Sequence, residues 1–134
     1  VGEGQPDTEK PPRMPNVHIL GPRSYEHLPA FLAHCDIAVL PAARNAYTTS
    51  MFPMKFFEYL ASGLPVVATR LPALEEFERL YPADTAEEFA EHIRNVLEGE
   101  RRDANLIDAA WLYHTWEARF KRMETAVQSV LAKE

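Results

Sequence analysis

A chain of 134 residues that is 46% hydrophobic, with 14 Lys/Arg against 20 Asp/Glu, has the size and composition of one ordinary domain with a real core. Its net charge of −6 and the absence of any Lys/Arg-rich run exclude an electrostatic reason to seek nucleic acid or anionic lipid. The lone Cys35 cannot form an internal disulfide, no Cys/His spacing matches a zinc site, and no apolar stretch approaches the roughly eighteen residues of a spanning helix. These features predict a soluble segment of a reducing compartment, without a metal site.

The chain opens on Val1-Gly2-Glu3-Gly4, which reads as a strand end cut mid-element, and residues 5–15 hold four prolines and several charges, as an exposed connection does. From Asn16, short apolar runs alternate with helical patterns, the signature of a parallel sheet wound with helices on both faces, and residues 16–98 form this α/β core. Val17, Ile19 and Leu20 predict a first strand, stopped by Gly21-Pro22. Ser24 is placed to cap a helix reaching about His34, whose apolar stripe is Leu28, Phe31, Leu32 and Cys35. On that stripe Cys35 reads as a small buried hydrophobe and not as a nucleophile.

Ile37 to Leu40 predict a second strand, stopped by Pro41. The connection over residues 41–52 is long for such a unit and rich in Asn, Thr and Ser, which marks it as a functional loop. Pro53 suits the first position of a helix with Phe56, Phe57, Leu60 and Ala61 on its apolar face, and Gly63 suits its left-handed end. Pro65 to Ala68 predict a third strand, Leu74 to Arg79 a short acidic helix, and Leu80-Tyr81 a brief strand. Thr85 and Glu88 form a candidate capping box for a helix carrying Phe89, Ile93, Val96 and Leu97 and ending at Gly99. Residues 100–134 are expected to be helical with a break at His114-Thr115, after which Trp116, Phe120, Met123, Val127, Val130 and Leu131 make one long stripe that requires burial, on this domain or on a partner. The five histidines show no ligand spacing and read as surface or edge residues.

Right-handed crossovers put the loops that follow parallel strands on one edge of the sheet, where ligands bind. The loops after Gly21, Leu40 and Ala68 are therefore expected to converge. A helix starting at Pro53 aims free N–H groups and the positive end of its dipole at that edge, which favours an anion such as a diphosphate, and Lys55 adds a charge. Glu58 is placed to accept hydrogen bonds from a vicinal diol such as ribose; three residues from Lys55, it equally suits a surface ion pair. Arg44, Asn45 and Tyr47 of the long loop are candidates for contact with a donor sugar or acceptor, and solvated loop polarity explains them as well.

The run Pro53-Met54-Lys55-Phe56-Phe57-Glu58-Tyr59-Leu60-Ala61-Ser62-Gly63-Leu64-Pro65-Val66-Val67-Ala68-Thr69 resembles the donor-site segment of the group 1 glycosyltransferases. Asn16 to Gly21 and Asp36 to Pro41 fall in the order and spacing of that family, Val1-Gly2-Glu3-Gly4 is similar to the end of an earlier strand, and the region of Trp111 and Trp116 is similar to the family's last helices. The resemblance implies a Rossmann-like, doubly wound parallel sheet forming the carboxyl-terminal half-domain of a GT-B fold, with long terminal helices. It implies that Glu58 holds the ribose hydroxyls, that the backbone near Phe52, Pro53, Met54 and Lys55 meets the distal phosphate, and that Pro22 and Arg23 border the base. The family often places a second glutamate eight positions before the first, against the donor sugar; Ser50 stands there in this chain and offers a hydroxyl in place of a carboxylate.

The function so implied is retaining transfer of a sugar from a UDP- or GDP-linked donor, a substrate and not a cofactor, to a sugar or lipid-linked acceptor, with Lys55 and Ser50 as catalytic candidates. The chain then supplies the donor site and leaves the acceptor to a missing amino-terminal domain. It works in the cytoplasm, at the inner face of a membrane where the full-length protein contacts one. Two alternatives stand beside this: a nucleotide-sugar epimerase of the same fold, and a non-catalytic α/β binding domain, for which an acidic pocket at the strand ends is expected. Asp36 lies before its strand and does not supply that pocket.

Overall fold

A computed structural model describes residues 14–77, 80–99 and 112–132. The chain divides into two compact units, residues 1–34 and residues 35–134. The expected amino-terminal strand end and the whole of the segment 100–111, Trp111 included, lie outside the described residues.

In the first unit the predicted strand is absent. Residues 17–20 are exposed coil: the Val17 N–H donates to the Met14 carbonyl at 3.0 Å in a local turn, and Ile19 is 70% exposed. An apolar run without a ladder to join has nothing to hold it extended. The predicted helix is shorter and irregular, a 3-10 turn at Tyr25–His27 leading into α1 (Leu28–Leu32). The Ser24 hydroxyl hydrogen-bonds His27 Nδ1 at 2.7 Å instead of capping the backbone, and Pro29 enters the first turn. Of the expected stripe only Leu32 is buried; Phe31 and Cys35 are exposed, so Cys35 is not the core residue its spacing suggests.

The second unit contains a parallel sheet in the order β1 (Ala38–Leu40), β2 (Val66–Thr69), β3 (Leu80–Ala83). Ala38 pairs with Val66 and Leu40 with Ala68; Val66 pairs with Leu80 and Thr69 with Ala83. β2 is central among the described strands, and Val66, Val67 and Ala68 are fully buried. Successive strand residues face opposite sides, so a run buried at every position is covered on both faces. On one face Val67 and Tyr81 pack with Val96 of α4 (Ala86–Leu97), flanked by Ile37, Phe89 and Ile93. α3 (Lys55–Ala61) packs on β2 and buries Phe56 and Leu60.

Local chemistry sets the element ends. α3 closes in a Schellman motif: the Leu64 N–H donates to the Tyr59 carbonyl at 3.2 Å, the Gly63 N–H to the Leu60 carbonyl at 2.9 Å, and Gly63 takes φ 74°. The predicted box at α4 is only half formed: the Thr85 hydroxyl accepts from the Glu88 N–H at 3.2 Å, but the Glu88 carboxylate reaches one residue further back, to the Asp84 N–H at 2.7 Å. Of the expected acidic helix at 74–79, residues 78 and 79 lie outside the described residues; the chain before them makes a 3-10 turn at Pro72–Leu74, and Leu74 and Phe77 are driven into the core. Beyond it, α5 (Trp116–Leu131) is capped by the Thr115 hydroxyl, which accepts from the Ala118 N–H. The stripe of α5 is open: Trp116, Phe120, Met123, Val127, Val130 and Leu131 are each more than half exposed.

Candidate functional site

The long loop after β1 contains a helix that its composition hides. α2 (Ala46–Ser50) starts at Asn45, whose side chain accepts from the Thr48 N–H at 2.9 Å, while Thr48 Oγ1 accepts from the Asn45 N–H at 3.0 Å. Thr48 Oγ1 also donates to the Ala43 carbonyl at 2.7 Å, which folds the loop back on itself and buries this threonine. Ser50 ends α2 and is exposed.

The entry to α3 is tighter than expected. Pro53 is not the first helical residue; its carbonyl accepts from the Phe56 N–H at 3.0 Å and that of Met54 from the Phe57 N–H at 3.1 Å, so a 3-10 turn precedes the helix at Lys55. Lys55 and Met54 are exposed and Glu58 is half-buried in the first turn. No ion pair joins Lys55 to Glu58 among the described residues; the pairs formed there lie elsewhere. Burial, and after it the Glu58 charge, pushes the neighbouring Tyr59 hydroxyl above its ordinary range.

Phe52, between α2 and α3, is held by rings. It stacks on Phe57 with centroids 4.8 Å apart and meets Phe77 edge-on at 6.1 Å, while Phe56 meets Phe77 at 4.7 Å. His114 enters the same cluster, 5.4 Å from Phe57, 5.5 Å from Phe77 and 5.9 Å from Phe52. Its side chain is only 18% exposed, so it is not the surface histidine that its isolation in the sequence suggests.

The loops after all three strands meet at the carboxyl edge of the sheet. The Ala42 N–H donates to Thr69 Oγ1 at 2.9 Å, and Asp84 accepts from Arg44 on one oxygen and from Arg70 Nε at 2.7 Å on the other. The two guanidinium hydrogen bonds hold the Asp84 carboxyl below its ordinary range, and Asp84 in turn raises Arg70. An open cleft of ≈ 640 Å³ lies here, lined by Ala42, Ala43, Thr69, Asp84, Phe89 and Ile93 among others. Arg44 borders it, whereas Ser50, Lys55 and Glu58 do not line it. Pro22 and Arg23 belong to the first unit, where the Arg23 guanidinium donates to the Pro22 carbonyl at 3.1 Å and lies 6.0 Å from the Phe31 ring. Asp84, Arg70 and His114 escaped the sequence reading; the only hint was that Asp84 and His114 each precede a capping threonine. Among the described residues no cluster of His, Cys, Asp or Glu is placed to hold a metal ion.

The sequence of residues 1–99 matches the family model of the glycosyl transferases group 1. The chain belongs to this family. As a group 1 glycosyl transferase it is also 38% identical, over 69 residues, to the Bacillus subtilis (strain 168) protein TuaH, whose name assigns it to the glycosyltransferases of teichuronic acid biosynthesis. That match covers 52% of this chain and 17% of TuaH, so the chain spans a minor part of that relative's length. No solved structure matches the chain significantly. The two-faced parallel sheet of this group 1 member is the Rossmann-like arrangement expected of a GT-B half-domain.

Proposed function

We propose that this chain supplies the donor site of an enzyme that transfers a sugar from a nucleoside diphosphate sugar, with retained configuration, to an acceptor bound largely by an amino-terminal domain. The observation that carries the reading is α3. In a chain of this family, Lys55 and Glu58 share its first turn, unpaired with each other, in a segment that follows β1 at the carboxyl edge of a parallel sheet. Glu58 accepts from the ribose hydroxyls, and Lys55 with the amides at the helix start stabilises the charge that grows on the leaving diphosphate, so no covalent intermediate is required. Ser50 contacts the donor sugar. TuaH's assignment to teichuronic acid biosynthesis supports a polysaccharide-building acceptor, and the enzyme works on the cytoplasmic side of a membrane.

The test is calorimetric titration of UDP and GDP, with and without a divalent cation, into the full-length protein that carries this chain and its Glu58→Ala variant. Loss of a charge-assisted hydrogen bond costs roughly 1.5–3 kcal/mol, so the variant is expected to bind the preferred nucleotide about tenfold to a hundredfold more weakly, whether or not metal is present. Equal binding by wild type and variant removes the ribose assignment.

A further inference from the structure

Phe52 lies in a stretch, residues 51–53, that has no regular secondary structure, between the helix ending in Ser50 and the turn leading to Lys55 and Glu58. Side-chain packing therefore bears on how that stretch is held. Phe57, next to Glu58, supplies one wall; another comes from more than fifty residues away, where His114 lies against Phe52, Phe57 and Phe77. Both imidazole nitrogens are engaged. Arg119 Nη2 lies 3.2 Å from Nδ1, and a guanidinium only donates, so Nδ1 accepts. The proton is then on Nε2, which donates to Glu76 Oε1 at 3.0 Å. The ring is thus held from two elements, the start of α5 and the β2–β3 connection, while its faces meet the segment between α2 and α3.

We infer that His114 is a positioning residue for the donor-binding segment: its ring, oriented by Glu76 and Arg119, keeps Phe52 stacked on Phe57 and so fixes the relative placement of Ser50, Lys55 and Glu58. This rests on the donor-site reading of that segment. Truncating a mostly buried ring leaves a cavity that neighbours collapse into, and Phe52, unsupported by any regular hydrogen-bond ladder, is the neighbour that moves most readily. Phenylalanine at 114 refills the space and restores the wall.

The full-length protein, titrated with UDP and GDP while its thermal midpoint is followed, separates positioning from general stability. His114→Ala is expected to weaken the preferred nucleotide roughly tenfold, and His114→Phe, which refills the space but makes neither ring hydrogen bond, only about twofold to fivefold. Glu76→Ala changes an exposed carboxylate and serves even where His114→Ala does not fold; with the ring less firmly oriented, it is expected to weaken binding about twofold to fivefold. Wild-type affinity in both His114→Ala and Glu76→Ala overturns the inference, and so does a His114→Phe variant as weak as His114→Ala. If Glu58→Ala weakens binding while the His114 and Glu76 variants do not, the positioning role alone falls; if Glu58→Ala is also without effect, the donor-site reading falls with it.

Discussion

Asp84 shows how one side chain can gather three strand ends. It follows β3 directly, and its two oxygens reach Arg70, just past β2, and Arg44, in the loop after β1. All three groups are solvent-exposed, where such pairs contribute little and salt screens them. Their effect on acid stability nonetheless has a definite sign. Because the folded-state value of Asp84 is lowered, the stabilisation is complete above the ordinary carboxylate range and is lost as pH falls through the lowered value. Asp84→Asn is accordingly expected to show a small thermal deficit at neutral pH that closes in acid and shrinks in high salt. A deficit constant across pH would refute the pairing as its cause. Glu58 is a contrasting residue: among the described residues it forms no ion pair with Lys55, three positions before it on α3.

At the scale of the element, α3 shows a different local rule at each of its ends. Its carboxyl end depends on Gly63 at φ 74°, a conformation that a residue with a Cβ adopts only at a cost. Gly63→Ala is expected to destabilise the fold by about 1–2 kcal/mol, measured by urea unfolding of the full-length protein. A variant as stable as wild type would show that the Schellman closure is dispensable. The opposite end follows a different rule. Pro53 fixes its own φ and lacks an N–H, but the 3-10 turn it begins delays the helical ladder to Lys55, so the first helical residue shifts by two positions from the one the proline suggests. α2 was legible in principle through Asn45 and Thr48, a cap and its partner three residues on, yet five residues with no apolar stripe give no periodicity to find.

Across the whole molecule the open stripe of α5 stands out, because a buried core elsewhere leaves it uncovered from Trp116 to Leu131. Exposed apolar area on this scale associates when nothing shields it. The isolated chain is expected to self-associate with rising concentration in sedimentation velocity, and Phe120→Lys, at a position 62% exposed, to suppress this without lowering the thermal midpoint. Concentration-independent sedimentation of the unmodified chain would refute it. No helix among the described residues is long and apolar enough to cross a membrane.

What the sequence determined by itself follows from short-range physics. The continuous apolar run Val66 to Ala68 demanded a strand covered on both faces, Gly63 and Thr85 marked helix ends, and the motif from Pro53 to Thr69 pointed to the family that the comparison establishes. What only the tertiary structure decided depends on partners distant along the chain. Val17 to Leu20 have the composition of a strand and join no ladder among the described residues; Leu74, at the end of a 3-10 turn, and Phe77, beyond it, fill the core where a helix was expected. Asp84 with its two arginines and His114 among its three phenylalanines are contacts between elements. Residue spacing records which face of its own element a side chain occupies, but carries no record of which other element will be packed against that face.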